Sequence, residues 1–158
     1  MITNSDDPYA VQSIDERDVP DYVRRFYSAH SNQKLLWIGH SYGGWLSLKT
    51  LIALQEQNIS IPPPDLFTID PISKRNCSVT SPLGCSSAPT DVSEAEYLRL
   101  GESVGEWMNF YQRKTPVVRS SPVRGARSNI EIAVGHTRID NHPLVWQNIT
   151  STLAASSW

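Results

Sequence analysis

Several features that define common protein classes are scarce in this sequence. The 158 residues include only 2 cysteines and 4 histidines, and they form no cluster with the ligand spacing of a structural zinc site. No hydrophobic run approaches the roughly 20 residues that a membrane-spanning helix requires. Positive charge is not in excess, because 14 Lys and Arg stand against 16 Asp and Glu and the net charge is −2. We therefore predict no structural zinc site, no stable membrane insertion and no nucleic-acid partner.

The first residues also lack the basic and apolar regions of a secretory signal peptide. The sequence as given predicts a cytoplasmic protein, and export would require a further N-terminal segment. Whether the protein is exported also decides the redox state of Cys77 and Cys85, which lie in a Ser- and Pro-rich stretch. In the cytoplasm both thiols stay reduced, which is the interpretation we favour, whereas export would allow a disulfide between them.

What is present fits one folded domain. Hydrophobic residues make up 39% of the chain and include 5 Trp, 6 Tyr and 3 Phe, a composition too apolar for a disordered protein. A chain of 158 residues is long enough to bury a substantial core. Residues 1–17 are polar and aperiodic and predict a loose arm, so we assign the domain to residues 18–158.

Helical and extended patterns alternate along this domain. Helices are predicted at 18–30, from 43, from 93 and from 143, and strands at 35–38, 66–69, 107–111 and 130–134. The strands are short, continuous apolar runs, which are typical of strands buried on both faces. The alternation predicts an α/β fold with a mostly parallel sheet and helices on both faces of it.

Two stretches remain without a regular pattern. Residues 71–93 are rich in Ser and Pro, and they form either a lid over an apolar acyl site or a crossover without structure of its own. Residues 113–127 carry five basic residues and no acidic one. We interpret them as a solvated loop rather than as an anion site, because they lack a phosphate-binding turn.

One short segment carries the strongest chemical signal. Gly39-His40-Ser41-Tyr42-Gly43, which we call the elbow, matches the G-x-S-x-G pattern and lies between a predicted strand and a predicted helix. In this context the serine lies on a sharp, strained turn, and the small Gly39 and Gly43 let backbone segments approach closely. Ser41 is therefore the candidate nucleophile, and the Tyr42 N–H at the helix N-terminus is the candidate oxyanion donor.

A serine hydroxyl is a weak nucleophile until a base takes its proton, so one of the 4 histidines must serve as that base. His30 lies at the end of the first helix, and His40 lies inside the elbow, packed beside the strand. His136 follows the strand at 130–134, and active-site groups collect where the chain leaves the carboxyl end of a parallel strand. We therefore favour His136 over His142, which lies directly before the last helix and would cap it.

The histidine in turn needs an acidic partner that holds its ring. Asp70 directly follows the strand at 66–69 and is fixed by the next proline, so we expect it at the same sheet edge as His136. Asp140 is closer to His136 in sequence. It lies in a loop, however, and its carboxylate would orient that loop instead of the His136 ring. Asp70 is therefore the predicted acid, and Asp140 is the alternative.

The favoured residues follow one another in the order Ser41, Asp70, His136. In this respect the sequence resembles the α/β-hydrolase superfamily, whose nucleophile, acid and histidine have the same order. Three segments carry a closer resemblance to small lipase- or esterase-like members: residues 38–44, 69–71 and 135–140. The resemblance covers residues 18–155 of the chain. It implies cleavage of a carboxylic ester, a small acyl ester or a lipid, through an acyl-enzyme without a metal or cofactor.

The sequence departs from the family pattern before the elbow. Family members have further strands there, and a loop after one of them supplies a second oxyanion N–H, whereas residues 1–17 contain no strand-like run. We therefore expect a truncated or minimal α/β-hydrolase fold in which the strand at 35–38 is an exposed edge. A homodimer would cover that edge. The alternative function is a truncated, catalytically weak binding or interaction module.

Overall fold

The computed structural model describes residues 17–73, 85–86, 91–115 and 118–155. The helices are α1 (Val19–Ala29), α2 (Tyr42–Glu56), α3 (Glu94–Ser103), α4 (His136–Ile139) and α5 (Pro143–Ala155). The strands are β1 (Leu36–His40), β2 (Asp65–Ile69), β3 (Cys85–Ser86), β4 (Trp107–Tyr111), β5 (Val118–Arg119) and β6 (Ser128–Glu131). None of these helices is both long and apolar enough to cross a bilayer. The predictions about Cys77 and about most of the arm and the lid concern residues outside the described ranges, and the side chain of Cys85 is not described.

Four of the strands form one sheet in the order β1-β2-β4-β6, and each neighbouring pair is parallel. The predicted α/β class with a parallel sheet is therefore confirmed. Every position of β2 and β4 is buried, as expected for the apolar runs of central strands. Because the four strands run in one direction, their carboxyl ends lie along one edge of the sheet. No pattern in the sequence predicts the separate short pair of β3 and β5.

The core has two parts, one on each face of the sheet. On one face, Leu66 and Trp107 pack with the buried side chains of α1, α2 and α3. On the other face, Phe67 and Phe110 pack with α4 and α5, from which Val145 is fully buried. Since successive side chains of a strand point to opposite faces, β2 and β4 contribute to both parts. Helices therefore cover both faces, as predicted.

Ser93 and Asp18 each precede a helix and have side chains that can cap its N-terminus, but only Ser93 does so. Ser93 and Glu96 have the Ser-x-x-Glu spacing of a capping box and form one: Ser93 Oγ accepts from the Glu96 N–H at 3.3 Å, and the Ser93 N–H donates to the Glu96 carboxylate at 2.6 Å. The hydrogen bonds to the Ser93 side chain and backbone lower the pKa of Glu96, because they favour the charged carboxylate. Asp18 precedes α1 but makes no side-chain cap, since its backbone is helical rather than extended.

The last strand is shorter and begins earlier than predicted. The apolar residues of 130–134 indicated a strand there, but β6 spans Ser128–Glu131. The Ile132 N–H still bonds to β4, and the Val134 N–H then donates back to the Ile132 carbonyl oxygen at 2.8 Å. This tight turn directs the chain away from the sheet. α4 begins directly after it, so His136 is the first residue of a short helix and not part of a loop.

β1 is the edge strand of the described sheet, so the expectation that the strand at 35–38 is an exposed edge is confirmed. The prediction that this strand is buried on both faces is wrong. The Leu36 and Ile38 side chains are 37% and 40% exposed. The Leu35 carbonyl oxygen and the Ser41 N–H both bond to the β2 segment. By alternation, the backbone groups of Leu36, Ile38 and His40 point to the open side of the strand. An apolar groove of about 430 Å³ between α1, β1 and the start of α2 lies there.

We expect the isolated 158-residue chain to associate through β1, because an exposed apolar edge favours pairing with a second copy. Light scattering is expected to show a dimer or larger species. Ile38→Lys is expected to shift the distribution toward monomer, since a charge on an edge strand opposes pairing. Leu98→Lys is the matched control, because Leu98 is a similarly exposed apolar side chain on α3. A stable wild-type monomer at all concentrations would contradict the expectation.

Candidate active site

The turn at the elbow is strained. β1 ends at His40 and α2 begins at Tyr42, so Ser41 alone connects them, with φ 56° and ψ −124°. A residue other than glycine in such a region costs about 1–3 kcal/mol, so the surroundings must hold it. The Ser41 N–H donates to the Ile69 carbonyl oxygen at 2.9 Å, and the Ser41 carbonyl oxygen accepts from the Ile72 N–H at 3.2 Å. The end of β2 therefore fixes the turn on both sides of the serine.

The three glycines in and directly after the elbow have different surroundings. A Cβ on Gly39 would lie 2.5 Å from the Gly43 carbonyl oxygen, and a Cβ on Gly44 would lie 2.9 Å from the Pro71 Cβ. A Cβ on Gly43 would meet no atom of the described residues within 4 Å. The close approach of β1 and α2 therefore requires Gly39 and Gly44. Gly43 takes part in this approach through its backbone, but its own Cβ position faces open space, so the crowding does not require glycine there.

Asp70 lies directly after β2, and its side chain is completely buried. Its backbone also has a positive φ, 46°. Its Oδ1 accepts from the Ser120 N–H at 3.0 Å and from the Gln112 N–H at 3.3 Å. Its Oδ2 accepts from Gln112 Nε2 at 2.8 Å and lies 2.7 Å from His136 Nδ1. These partners compensate the carboxylate for the loss of water, without which burial of the charge would be costly.

His136 is held by both its backbone and its ring. Its N–H donates to Thr115 Oγ1 at 2.9 Å, and its carbonyl oxygen lies 3.2 Å from His40 Nε2. Its Nε2 lies 3.0 Å from Ser41 Oγ, while its Nδ1 lies 2.7 Å from Asp70 Oδ2. The structure therefore brings together the three side chains that the strand-end argument selects. They form one continuous hydrogen-bonded chain.

The direction of these hydrogen bonds follows from the chemistry of the groups. An ionised carboxylate only accepts, so the proton of the His136 ring lies on Nδ1 and is donated to Asp70. Nε2 is then the acceptor for the Ser41 hydroxyl proton. The His136 side chain is 13% exposed and that of Asp70 is fully buried, so the pair is shielded from bulk water. This arrangement can remove a proton from Ser41 and return it to a leaving group.

Tyr42 is the first residue of α2, so its N–H lies at the N-terminus of a helix of 15 residues. The partial positive charge of a helix N-terminus favours a negative charge placed beside it. The location therefore agrees with the predicted oxyanion donor. The Tyr42 ring stacks on Trp45, with centroids 4.8 Å apart, which holds the first turn of the helix.

The alternative base and acid lie apart from the serine. His142 Nδ1 accepts from the Leu144 N–H at 3.3 Å, at the start of α5, as expected for a capping residue. The Asp140 carbonyl oxygen accepts from Trp146 Nε1 at 2.7 Å, and its carboxylate lies 3.8 Å from His40 Nδ1. Asp140 therefore orders the turn between α4 and α5. Neither residue is hydrogen-bonded to Ser41.

Sequence reasoning missed three residues that support the candidate site. His40 is predicted only to pack beside the strand, but its ring lies 4.9 Å from that of His136 and its Nε2 donates to the His136 carbonyl oxygen. Gln112 directly follows β4, so the strand-end rule that selects Asp70 applies to it as well. Thr115 lies in a loop without a motif, and no signal in the sequence distinguishes it.

The basic stretch agrees with the interpretation as a solvated loop. Three of its arginines are exposed and each faces a different glutamate: Arg113 with Glu131, Arg124 with Glu94 and Arg127 with Glu106. Their guanidinium groups lie beside carboxylates on different elements instead of converging on one point. Exposed pairs of this kind contribute little to stability.

No protein-family model matches the chain, and no curated protein is similar to it in sequence. The functional argument therefore depends on the geometry of Ser41, His136 and Asp70.

We expect Gly39→Ala to disrupt the elbow, because its Cβ would meet backbone atoms that cannot move aside. Overpacking of this kind lowers the free energy of unfolding by about 1–3 kcal/mol. Gly43→Ala is the matched control, since the added Cβ meets no described atom and alanine favours the helix. Urea denaturation of both variants measures the difference. Equal losses of stability would show that the crowding at Gly39 is not limiting.

Proposed function

We propose that this chain is a serine hydrolase, and more specifically a carboxylic-ester hydrolase of the lipase or esterase type. One observation carries the proposal: Ser41 Oγ lies 3.0 Å from His136 Nε2, and His136 Nδ1 lies 2.7 Å from Asp70 Oδ2. Two further features support it. Ser41 lies on a strained strand-to-helix turn, and the chain order of the three residues is that of the α/β-hydrolase superfamily.

The reaction begins with attack of Ser41 Oγ on the carbonyl carbon of the ester. The O–C bond forms as His136 Nε2 takes the hydroxyl proton, and the carbonyl oxygen becomes an oxyanion beside the Tyr42 N–H. Asp70 holds the ring in the required tautomer and stabilises the imidazolium. The tetrahedral intermediate then expels the alcohol, which receives its proton from His136. An acyl-Ser41 ester remains.

Water completes the cycle. His136 Nε2 takes a proton from a water molecule, whose oxygen attacks the acyl carbon and forms a second tetrahedral intermediate. Collapse of that intermediate breaks the bond to Ser41 Oγ, which recovers its proton from His136. The products are the carboxylic acid and the alcohol, and the residues return to their starting protonation states. The cycle uses the side chains of Ser41, His136 and Asp70, the backbone N–H of Tyr42 and water.

An ester is a better substrate for this site than an amide. An alcohol leaves a tetrahedral intermediate more readily than an amine does, so an ester needs less stabilisation of the oxyanion. The Tyr42 N–H is the only oxyanion donor that we assign, and the loss of one donor costs about 10²–10³-fold in rate. Short acyl esters are therefore the probe substrates of choice.

The open edge of β1 favours a second candidate function. A chain that keeps the fold but hydrolyses slowly would act as a binding or interaction module through the exposed Leu36 and Ile38. Labelling with a fluorophosphonate separates the two functions, because only an activated serine reacts with it. Reaction at Ser41 favours the hydrolase, and a protein that stays unlabelled favours the module.

We expect Ser41→Ala to abolish hydrolysis of short acyl esters while the fold remains, because the hydroxyl carries the covalent step. Loss of a nucleophile of this kind lowers turnover by about 10⁴–10⁶-fold. The rate with a chromogenic ester measures activity, and circular dichroism together with a thermal melt checks the fold. Turnover close to that of the wild type would exclude the proposed mechanism.

We also expect matched substitutions to separate the proposed base and acid, His136 and Asp70, from the alternatives, His142 and Asp140. His136→Ala and Asp70→Asn are expected to lower turnover by about 10⁴-fold. The first removes the base, and the second replaces the carboxylate by a neutral amide that no longer fixes the tautomer of the ring or stabilises the imidazolium. His142→Ala and Asp140→Asn are expected to change turnover less than tenfold. Esterase rates of the four variants under one condition test the assignment. A large loss at His142 would reverse the roles of the two histidines.

A further inference from the structure

Gln112 is a completely buried polar residue directly after β4. Its Nε2 donates to Asp70 Oδ2 at 2.8 Å and to the Val118 carbonyl oxygen at 2.6 Å. Its Oε1 accepts from the Thr115 N–H at 2.9 Å. The side-chain amide therefore uses both its donor and its acceptor atoms, and its orientation is determined by these partners.

The contact with Thr115 extends this network to the base. Thr115 Oγ1 accepts from the backbone N–H of His136 at 2.9 Å, while the ring of His136 bonds to Asp70 at 2.7 Å. The hydrogen bonds therefore run from Asp70 through Gln112 and Thr115 to His136 and back to Asp70. One side chain thus contacts the acid directly and reaches the base through a single intervening residue.

The closed path explains how residues from distant parts of the chain keep a fixed geometry. Asp70 Oδ2 receives both the Gln112 and the His136 donors, so rotation of the carboxylate would break two hydrogen bonds at once. A shift of Thr115 would displace the first residue of α4, and with it the distance from His136 Nε2 to Ser41 Oγ. Misplacement of a catalytic group by 1 Å lowers rates by about 10²-fold.

We propose that Gln112 is a positioning residue that aligns Asp70 and His136 with Ser41. The inference rests on the proposed hydrolase function for its effect on rate. Its structural part, the hydrogen bond from His136 to Asp70, can be measured without any substrate. Gln112 itself touches neither Ser41 nor a reacting atom, so its effect is expected on turnover rather than on substrate affinity.

Gln112→Met is the primary test, because methionine has a similar length and shape but offers no amide. We expect kcat to fall about 10²-fold with KM changed less than threefold, since alignment and not binding is lost. Gln55→Met is the matched control, because the half-buried Gln55 amide also forms hydrogen bonds, but to Arg99 and Ser103 of α3 and not to Asp70 or Thr115. We expect it to leave both constants unchanged.

Proton NMR provides the readout that is independent of activity. A histidine Nδ1 proton bonded to a carboxylate resonates far downfield, and we expect this signal in the wild type and in Ser41→Ala. We expect it to shift or to disappear by exchange in Gln112→Met, and to remain in Gln55→Met. A wild-type protein that has the signal but hydrolyses no ester would refute the hydrolase function and leave the positioning role intact.

Thr115→Val covers the case in which Gln112→Met does not fold. It removes the Oγ1 acceptor of the His136 N–H at nearly constant volume, and we expect a tenfold or greater fall in kcat with a shifted Nδ1 signal. If both variants fold, their effects on kcat are expected to be less than additive, because both open the same path. The inference is overturned if a folded variant of either kind keeps the wild-type kcat and Nδ1 signal, or if the wild type lacks that signal.

Discussion

The burial of the Asp70 carboxylate is the constraint on which the arrangement of the candidate site depends. A charge that is fully removed from water must be surrounded by donors, and here they come from three separate segments: Gln112 after β4, Ser120 after β5 and His136 at the start of α4. Each of these segments must therefore reach the end of β2. The site is assembled around this residue rather than around the serine.

A network of polar side chains in β2, β4 and β6 also supports the segment that contains Ser120. Thr68 Oγ1 donates to Asn109 Oδ1 at 2.9 Å, and Asn109 Nδ2 donates to Asn129 Oδ1 at 2.9 Å and to the Ser121 carbonyl oxygen at 3.1 Å. The last bond fixes the residue next to Ser120, whose N–H contacts the acid. Interior amides that are satisfied in this way specify one arrangement of the chain, because any alternative would leave them without partners.

The two strained residues of the site occupy equivalent positions on adjacent strands. Ser41 follows β1 and Asp70 follows β2, and both have positive φ angles, 56° and 46°. Each donates its N–H to the neighbouring strand, Ser41 to Ile69 and Asp70 to Phe110. The sheet thus holds both backbones in conformations that an isolated chain would avoid. The strain and the parallel register together place the serine and the acid on either side of His136.

The patterns of the sequence by themselves determined most of the secondary structure and the candidate chemistry. Apolar runs, the elbow, the strand-end position of Asp70 and the capping box at Ser93 are local signals, and each has a local physical cause. Tertiary structure alone decided the end of β6 before Ile132 and the supporting contacts of Gln112 and His40. These properties depend on which groups lie opposite a residue in space, and neighbours in sequence carry no information about groups that lie tens of residues away.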